Sequence, residues 1–191
     1  MGAQLALLGA VYLPWVSGVV ANVPSDVVWD GWGPGIELGT RSTFSVGGQP
    51  LAFVPLVGYE EETLKQPVIL RRAFDRGRSA RPDLAWKARV PVERIRGPIM
   101  VIGAYDDQMW PSGQMAQNIV ERRLESGLPT EHLIFPNAGH SLYHSGYTPT
   151  TIYNLGLRKS GGTPQANAEA QSQVWPRTIQ FLRRVLLQGH E

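Results

Sequence analysis

The hydrophobic positions of this chain fall into short runs that are bounded by prolines and glycines. Residues 3–13 are apolar on every side of a predicted helix, which is typical of a helix buried against a sheet, and Pro14 ends it. Residues 16–23 and 98–103 form short apolar runs, so we predict a buried strand in each. Residues 132–135 predict a third strand of the same kind.

Amphipathic stretches follow the second and third strands. The first begins at Ser112, its predicted N-cap, stops at Gly127, and carries one apolar face made of Met115, Ala116, Ile119, Val120 and Leu124. The second spans about 164–188, where Pro176 should kink the helix or mark its true start, and its apolar positions are Val174, Ile179, Phe181, Leu182, Val185 and Leu186. Strands that alternate with helices predict an α/β fold, a parallel sheet flanked by helices.

Residues 25–97 predict an excursion over the sheet edge, between the first and second strands. Glycine and proline are dense as far as Gly58, and we predict a hairpin formed by residues 43–46 and 51–54. A polar helix is expected at about 60–75, followed by a basic loop.

Composition places the chain among single globular domains, with 191 residues, 42% hydrophobic and 18% charged. The absence of cysteine excludes disulfides, a thiolate metal site and a cysteine nucleophile within the chain, and it favours the cytoplasm. We expect no metal ion and no cofactor. Pro14 and Gly18 interrupt the apolar opening, so we predict neither a signal peptide nor a membrane span.

The net charge of +2 does not suggest nucleic-acid binding, but the cations are unevenly placed. Nine of the eighteen Lys and Arg residues lie in one stretch: Arg71, Arg72, Arg76, Arg78, Arg81, Lys87, Arg89, Arg94 and Arg96. This stretch is either an ordinary solvated surface or a patch that binds a polyanionic substrate such as a coenzyme A nucleotide.

Candidate catalytic residues follow the last two predicted strands. Asp106 and Asp107 come directly after residues 98–103, and His140 comes after residues 132–135. Carboxyl ends of parallel strands meet at one edge of a sheet, and an acid followed by a histidine is the order found in α/β-hydrolases. A histidine oriented by a buried acid can take a proton from a serine. Alternatively, the aspartates cap a helix and the histidine is structural.

The first residues read like a helix entered from the middle of a G-x-S-x-G nucleophile elbow. Gly2 would be the closing glycine, and the nucleophile, Ser or Cys, would immediately precede Met1. We therefore expect Met1 to be an internal methionine of a longer reading frame. The strand near Val19 would then present an unpaired apolar edge where the nucleophile strand belongs.

Four segments resemble one known family. They are residues 91–99, residues 103–112 with the run Asp106-Asp107-Gln108-Met109-Trp110, residues 135–140 and residues 161–168. Together they are similar to the C-terminal domain of acyl-CoA thioesterases and bile acid-CoA:amino acid N-acyltransferases, over most of the chain and most weakly across 32–88. The resemblance implies the C-terminal half of an α/β-hydrolase fold of the dienelactone hydrolase type.

The resemblance also implies roles for individual residues. His140 would be the general base and Asp107 its orienting acid, because Trp110 follows Asp107 by three residues as in the family; Asp106 is the alternative acid. Met1 matches the residue after the nucleophile, whose backbone N–H helps to form the oxyanion hole. Candidate substrate-binding residues are Arg71, Arg72 and Trp110.

The function implied is hydrolysis of acyl-CoA thioesters, with a small-molecule acyl-CoA or ester as substrate. Transfer of the acyl group to an amino acid is a close variant. The alternatives are an ester or lactone hydrolase, or an inactive fragment that binds coenzyme A. Acyl-chain length and oligomeric state stay open.

Overall fold

The helices and strands alternate along the chain as predicted. A computed structural model describes residues 1–33, 37–142 and 159–187. Its elements are α1 (Gly2–Tyr12), β1 (Val19–Asn22), β2 (Ser45–Val46), β3 (Gln49–Pro50), α2 (Tyr59–Thr63), α3 (Arg71–Ala80), α4 (Pro82–Lys87), a short 3-10 helix (Val92–Arg94), β4 (Ile99–Ala104), α5 (Ser112–Glu125), β5 (Glu131–Phe135) and α6 (Pro164–Leu187).

The central sheet has three parallel strands in the order β1-β4-β5. Val19 pairs with Ile99 on one side of β4, and Met100 pairs with Glu131 on the other. The predicted α/β fold and all three predicted strands are therefore confirmed. Among the described residues no strand pairs with the outer side of β1, which is an edge of this sheet.

Helices cover both faces of the sheet. Ile99 and Val101 of β4 pack in a cluster with α1 and α5, whereas Met100, Ile102 and Ala104 pack with α6. All six residues of β4 are buried, because side chains alternate between two covered faces. The run of apolar residues that predicted β4 therefore follows from its position in the centre of the sheet, where both faces are covered.

The connection from β1 to β4 contains the predicted hairpin, with its pairing nearer to the turn than expected. Ser45–Val46 pairs with Gln49–Pro50 across Gly47 and Gly48, whose φ angles of 57° and 80° suit a tight two-residue turn. The Leu51 N–H still donates to the Phe44 carbonyl at 3.0 Å, but Val54 bridges to Trp29 and leaves the hairpin.

The predicted helix at 60–75 is wrong in its extent, since α2 and α3 are separate helices. Pro67 lies between them, and proline lacks the N–H that a helix interior requires. The expected basic loop is largely helical as well. Arg76 and Arg78 belong to α3, and α4 begins at Pro82, a favourable first helical residue.

Helix α5 ends as predicted and begins differently. Gly127 adopts a φ of 69°, and its N–H donates to the Leu124 carbonyl, so it ends the helix as expected. The N-cap position is held by Pro111, and Ser112 makes no side-chain cap, which contradicts that prediction.

The apolar face of α5 also differs from the prediction at one turn. Leu124 is 68% exposed, whereas Arg123 is only 1% exposed. Arg123 is buried because Nη1 donates to the carbonyls of Val92 and Ile95, at 2.7 and 2.6 Å. It therefore ties α5 to the segment that leads into β4.

Helix α6 runs through Pro176, so this proline does not mark its start. Val174 and Phe181 are buried as predicted, but Leu182 and Leu186 are exposed. The predicted last residue of this helix, Gln188, lies outside the described residues. Across the part of the chain that the structure describes, we find no helix long and apolar enough to span a membrane.

Candidate active site

The loops that follow β4 and β5 meet at the carboxyl edge of the sheet, together with the first turn of α1. Helix α1 leads into β1, so its N-terminus lies at the carboxyl end of that strand. The side-chain amide of Gln4 donates to the carbonyl of Val27, a residue just beyond β1, which ties the start of α1 to this edge. The edge therefore collects the segments that carry the predicted site.

Asp107 is fully buried, and its carboxylate accepts four hydrogen bonds. Oδ1 accepts from the backbone N–H groups of Met109 and Trp110, at 2.8 and 3.2 Å. Oδ2 accepts from the hydroxyl of Ser112 at 2.6 Å and from Nδ1 of His140 at 2.9 Å. Four donors compensate for the burial of a charge and leave the carboxylate one orientation.

His140 is oriented by Asp107 on one side and by the aromatic ring of Trp110 on the other. The two rings meet edge to face, with centroids 4.3 Å apart and planes at 75°. A carboxylate can only accept, so Nδ1 carries the proton and Nε2 of the neutral ring is the acceptor. Within the described residues no group bonds Nε2, and the side chain is 17% exposed. His140 therefore offers a basic nitrogen at the edge of the sheet.

Asp106, the alternative acid, is directed elsewhere. Its Oδ2 accepts from the backbone N–H of Gly162 at 2.8 Å, and its Oδ1 accepts from the side-chain amide of Gln108 at 2.7 Å. The structure thus brings Asp107, and not Asp106, to His140. Asp106 instead fixes the segment that precedes α6.

That segment connects the loops of the two candidate catalytic residues. The carbonyl of Ser160 accepts from the backbone N–H of His140 at 2.7 Å and from that of Gln108 at 3.3 Å. Gly161 follows with a φ of 81°, and a Cβ there would lie 1.6 Å from the carbonyl oxygen of Asp106. Only glycine fits at such an approach, so Gly161 allows the two loops to be joined.

Asn167, in the first turns of α6, fixes the histidine loop from the other side. Its Oδ1 accepts from the backbone N–H of Gly139 at 2.7 Å, directly before His140. Its amide donates to the Gly161 carbonyl at 3.4 Å. Hydrogen bonds to the backbone of the histidine loop therefore hold it from both sides.

Trp110 links His140 to the end of β1. Its indole N–H donates to the carbonyl of Val23 at 3.1 Å. Val23 has a φ of 46°, which is a strained conformation for a β-branched residue. Phe74 of α3 lies behind the indole, with centroids 6.0 Å apart. Trp110 is thus fixed on three sides, which in turn fixes the ring that it contacts.

Arg71 and Arg72 lie at the start of α3 and differ in what they contact. The Arg71 guanidinium donates to the carbonyls of Tyr105 and Asp107, at 2.6 and 3.1 Å, and so supports the acid loop. Arg72 is 54% exposed and lies 3.6 Å from the buried carboxylate of Glu62. Of the two predicted substrate-binding arginines, Arg72 therefore makes fewer contacts through its guanidinium than Arg71 does.

Acidic residues partner much of the basic stretch. Ion pairs join Arg71 to Asp75, Arg76 to Glu62, Arg78 to Asp26 and Arg81 to Asp83. The hydrogen bond from Lys65 is the largest influence on Glu62 and lowers its pKa. The hydrogen bond from Arg76 lowers the pKa further, whereas burial acts in the opposite direction. These pairings favour the interpretation of the stretch as a largely self-neutralised surface.

Met1 occupies the N-cap position of α1 and is 53% exposed. The contacts among the described residues do not include one between Met1 and either Asp107 or His140. Its role as an oxyanion donor stays a prediction. In the described ranges, no three His, Cys, Asp or Glu side chains are grouped so as to hold a metal ion.

Two polar residues of the site were not foreseen from the sequence. The sequence predicts a helix cap at Ser112, but its hydroxyl donates to the carboxylate of Asp107, five residues earlier. Asn167 carried no signal of its own, because its partner lies 28 residues earlier in the chain.

Comparisons with known proteins identify the family of this chain. The family model described as BAAT / Acyl-CoA thioester hydrolase C terminal matches residues 1–188. The chain belongs to this family. Membership confirms the resemblance stated from the sequence and the α/β class of the fold.

Individual members of the acyl-CoA thioester hydrolase C-terminal family are similar at low identity. Acyl-coenzyme A thioesterase 6 of Mus musculus is 27% identical over 139 residues, covering 70% of this chain and 33% of the relative. Acyl-coenzyme A amino acid N-acyltransferase 2 of Rattus norvegicus is 33% identical over 106 residues, covering 52% and 25%. Mitochondrial acyl-coenzyme A thioesterase 2 of Mus musculus is 24% identical over 163 residues, covering 78% and 36%. The chain thus spans between a quarter and about a third of the length of these relatives.

Proposed function

We propose that this chain carries the acid and the base of a triad that hydrolyses acyl-CoA thioesters. The observation that carries the proposal is the hydrogen bond from His140 Nδ1 to the buried carboxylate of Asp107, at 2.9 Å. A histidine held in this tautomer has its Nε2 free to accept a proton. The family supports a hydrolase, and the names of two relatives support the thioester.

In the proposed reaction, a serine or cysteine that precedes Met1 in a longer protein attacks the thioester carbonyl. His140 Nε2 takes the proton of the nucleophile and gives it to the departing thiolate of coenzyme A. Water then attacks the acyl-enzyme carbonyl, and His140 Nε2 takes its proton. His140 returns this proton to the oxygen or sulfur of the departing nucleophile, so the carboxylic acid is released and the enzyme is restored. Asp107 holds the imidazole in place throughout. The backbone N–H at Met1 would stabilise the oxyanion, because the start of α1 lies at the same edge of the sheet.

Trp110 and Arg72 are the residues that we propose to contact the substrate. Trp110 packs on His140 and would border the reacting carbonyl. Arg72 would contact an anionic part of the substrate, since its guanidinium is half exposed, whereas Arg71 is bonded to the acid loop. The partner is a small-molecule acyl-CoA, and we propose a cytoplasmic location, although one relative is mitochondrial by name.

A second function, transfer of the acyl group to an amino acid, has one specific support. The relative with the highest identity among those given above is an amino acid N-acyltransferase. In that case an amine, instead of water, attacks the acyl-enzyme, and the same His140 removes its proton.

The experiment uses the longest polypeptide encoded in frame with this chain. Release of coenzyme A from an acyl-CoA is followed through its free thiol, with and without an added amino acid, and a fluorophosphonate probe labels an active serine. His140→Ala should lower kcat by about 10⁶-fold and Asp107→Asn by about 10⁴-fold.

His132→Ala is the matched control. His132 is exposed on β5, and among the described residues its side chain hydrogen-bonds only to the nearby carbonyl of Thr130, so the loss of this side chain should not change kcat. Retention of more than a tenth of the activity in His140→Ala would refute the triad. Production of an acyl amino acid, with little hydrolysis, would establish the transferase instead.

A further inference from the structure

Ser112 is a fully buried hydroxyl at the first residue of α5. Serine in this part of a helix commonly caps the free N–H groups, but Ser112 makes no such bond. Its side chain turns inward to the acid loop. Buried hydroxyl groups are almost always hydrogen-bonded, so Ser112 must have partners other than the N–H groups of the helix.

Those bonds form a chain that ends at the candidate base. The backbone N–H of Ala104, at the end of β4, donates to Ser112 Oγ at 3.3 Å. Ser112 has one hydroxyl proton, and the charged Asp107 Oδ2 at 2.6 Å is a better acceptor than the Ala104 carbonyl at 3.4 Å. The same Oδ2 accepts from His140 Nδ1. One oxygen therefore receives both the hydroxyl and the imidazole.

The close packing of α5 on β4 is what brings the hydroxyl to this place. A Cβ at Gly103 would lie 2.7 Å from the carbonyl oxygen of Ser112, and a Cβ at Gly113 would lie 2.7 Å from the carbonyl carbon of Ala104. Both positions admit only glycine without a shift of backbone. The start of α5 is thus seated directly on the end of the strand.

We propose that Ser112 is a positioning residue for the acid of the triad. Its hydroxyl holds Asp107 Oδ2 in the direction of His140, so that the acid selects the tautomer with a proton on Nδ1. The proposal rests on the proposed function, because the benefit of this tautomer is a free Nε2 for proton transfer.

The first test measures the tautomer of His140 in this chain by ¹⁵N NMR at a pH where the imidazole is neutral. The native chain should show a proton on Nδ1. Ser112→Ala should raise the population of the other tautomer at least severalfold, while Ser112→Thr, which keeps the hydroxyl, should restore the native ratio. His132 serves as an internal reference whose ratio should stay constant. A native ratio in Ser112→Ala would overturn the proposal.

Thermal denaturation accompanies each variant, and Ser112→Cys covers the case in which alanine prevents folding. Cysteine preserves the volume but donates weakly, so it should give a tautomer ratio between those of serine and alanine. A cysteine variant with the native ratio would overturn the proposal in the same way.

The second test measures kinetics in the longest polypeptide encoded in frame. Ser112→Ala should lower kcat by about 10- to 100-fold, the equivalent of one hydrogen bond to a charged group, with KM unchanged. In combination with Asp107→Asn, Ser112→Ala should lower kcat no further, because Ser112 acts through Asp107. An additive double variant would refute action through Asp107. Absence of thioesterase activity would refute the proposed function but not the positioning of Asp107 by Ser112, because the tautomer measurement does not depend on turnover.

Discussion

Replacement of Gly161 with Ala tests whether the segment before α6 fixes the two loops of the site. The new Cβ would lie 1.6 Å from the carbonyl oxygen of Asp106, and the backbone has a φ of 81°. Because non-bonded heavy atoms sit about 3.5 Å apart, the loops must separate by about 2 Å. Such a movement breaks the bond from the Gly162 N–H to Asp106 and the bond from the His140 N–H to Ser160.

The magnitude follows from these losses. A left-handed backbone at alanine costs about 1–2 kcal/mol. The two broken bonds add about 2–4 kcal/mol, since one of them is to a charged carboxylate. Gly161→Ala should therefore lower the free energy of unfolding by about 3–6 kcal/mol. For a chain of this size the melting temperature falls by about 2–4 °C for each kcal/mol.

Gly127→Ala is the matched control. Gly127 has a nearly equal φ of 69°, and nothing lies within 4 Å of its Cβ position. This variant should lose only the conformational cost of about 1–2 kcal/mol. Chemical denaturation of the two variants and the native chain gives the difference directly, and ¹⁵N NMR of His140 reports whether its contact with Asp107 survives. Equal stability losses in both variants, with a native His140 spectrum, would refute the close approach.

Three further predictions concern stability, the choice of acid and pH. Arg123→Met removes the side-chain donor from the carbonyls of Val92 and Ile95, of which only the Val92 carbonyl keeps a backbone donor. It should lower the unfolding free energy by about 2–4 kcal/mol in chemical denaturation, and a loss below about 1 kcal/mol would contradict this. Asp106→Asn keeps an acceptor for the backbone N–H it binds, so in the thioesterase assay it should lower kcat by less than about tenfold, far less than Asp107→Asn, and the reverse order would make Asp106 the acid. Burial raises the pKa of Asp30 above 3.8, partly offset by bonds from backbone N–H groups, so its charged form costs stability at neutral pH. Asp30→Asn should be more stable than the native chain at pH 7, and the advantage should shrink as pH falls towards 3.8; an advantage independent of pH would exclude this cause.

The regular part of the fold could be predicted from the sequence because its residues are buried on two faces. Residues 98–103 and 132–135 correspond closely to β4 and β5, and residues 3–13 to α1. In such segments the apolar run itself records the packing. Between β1 and β4 the prediction lost accuracy. The helices there are amphipathic and short, and their arginines are partnered by carboxylates distant in sequence, such as Asp26 and Glu62.

The proximity of Asp107 and His140 could be predicted from the sequence, whereas the residues that hold them in place could not. Asp107 and His140 follow strands, so the order of the elements was enough to bring them together. The roles of Ser112, Ser160 and Asn167 depend on a buried hydroxyl, a backbone carbonyl and a side-chain amide, whose partners lie between 5 and 52 residues away in the sequence. A pattern of hydrophobic and polar positions does not encode such contacts, because one polar residue can take many partners.

The carbonyl of Ser160 couples the two loops of the candidate site. It accepts from the backbone N–H of Gln108, in the loop of the acid, and from that of His140, in the loop of the histidine. A shift of this one carbonyl would therefore move both loops together. The distance between Asp107 and His140 thus depends on a residue that belongs to neither loop.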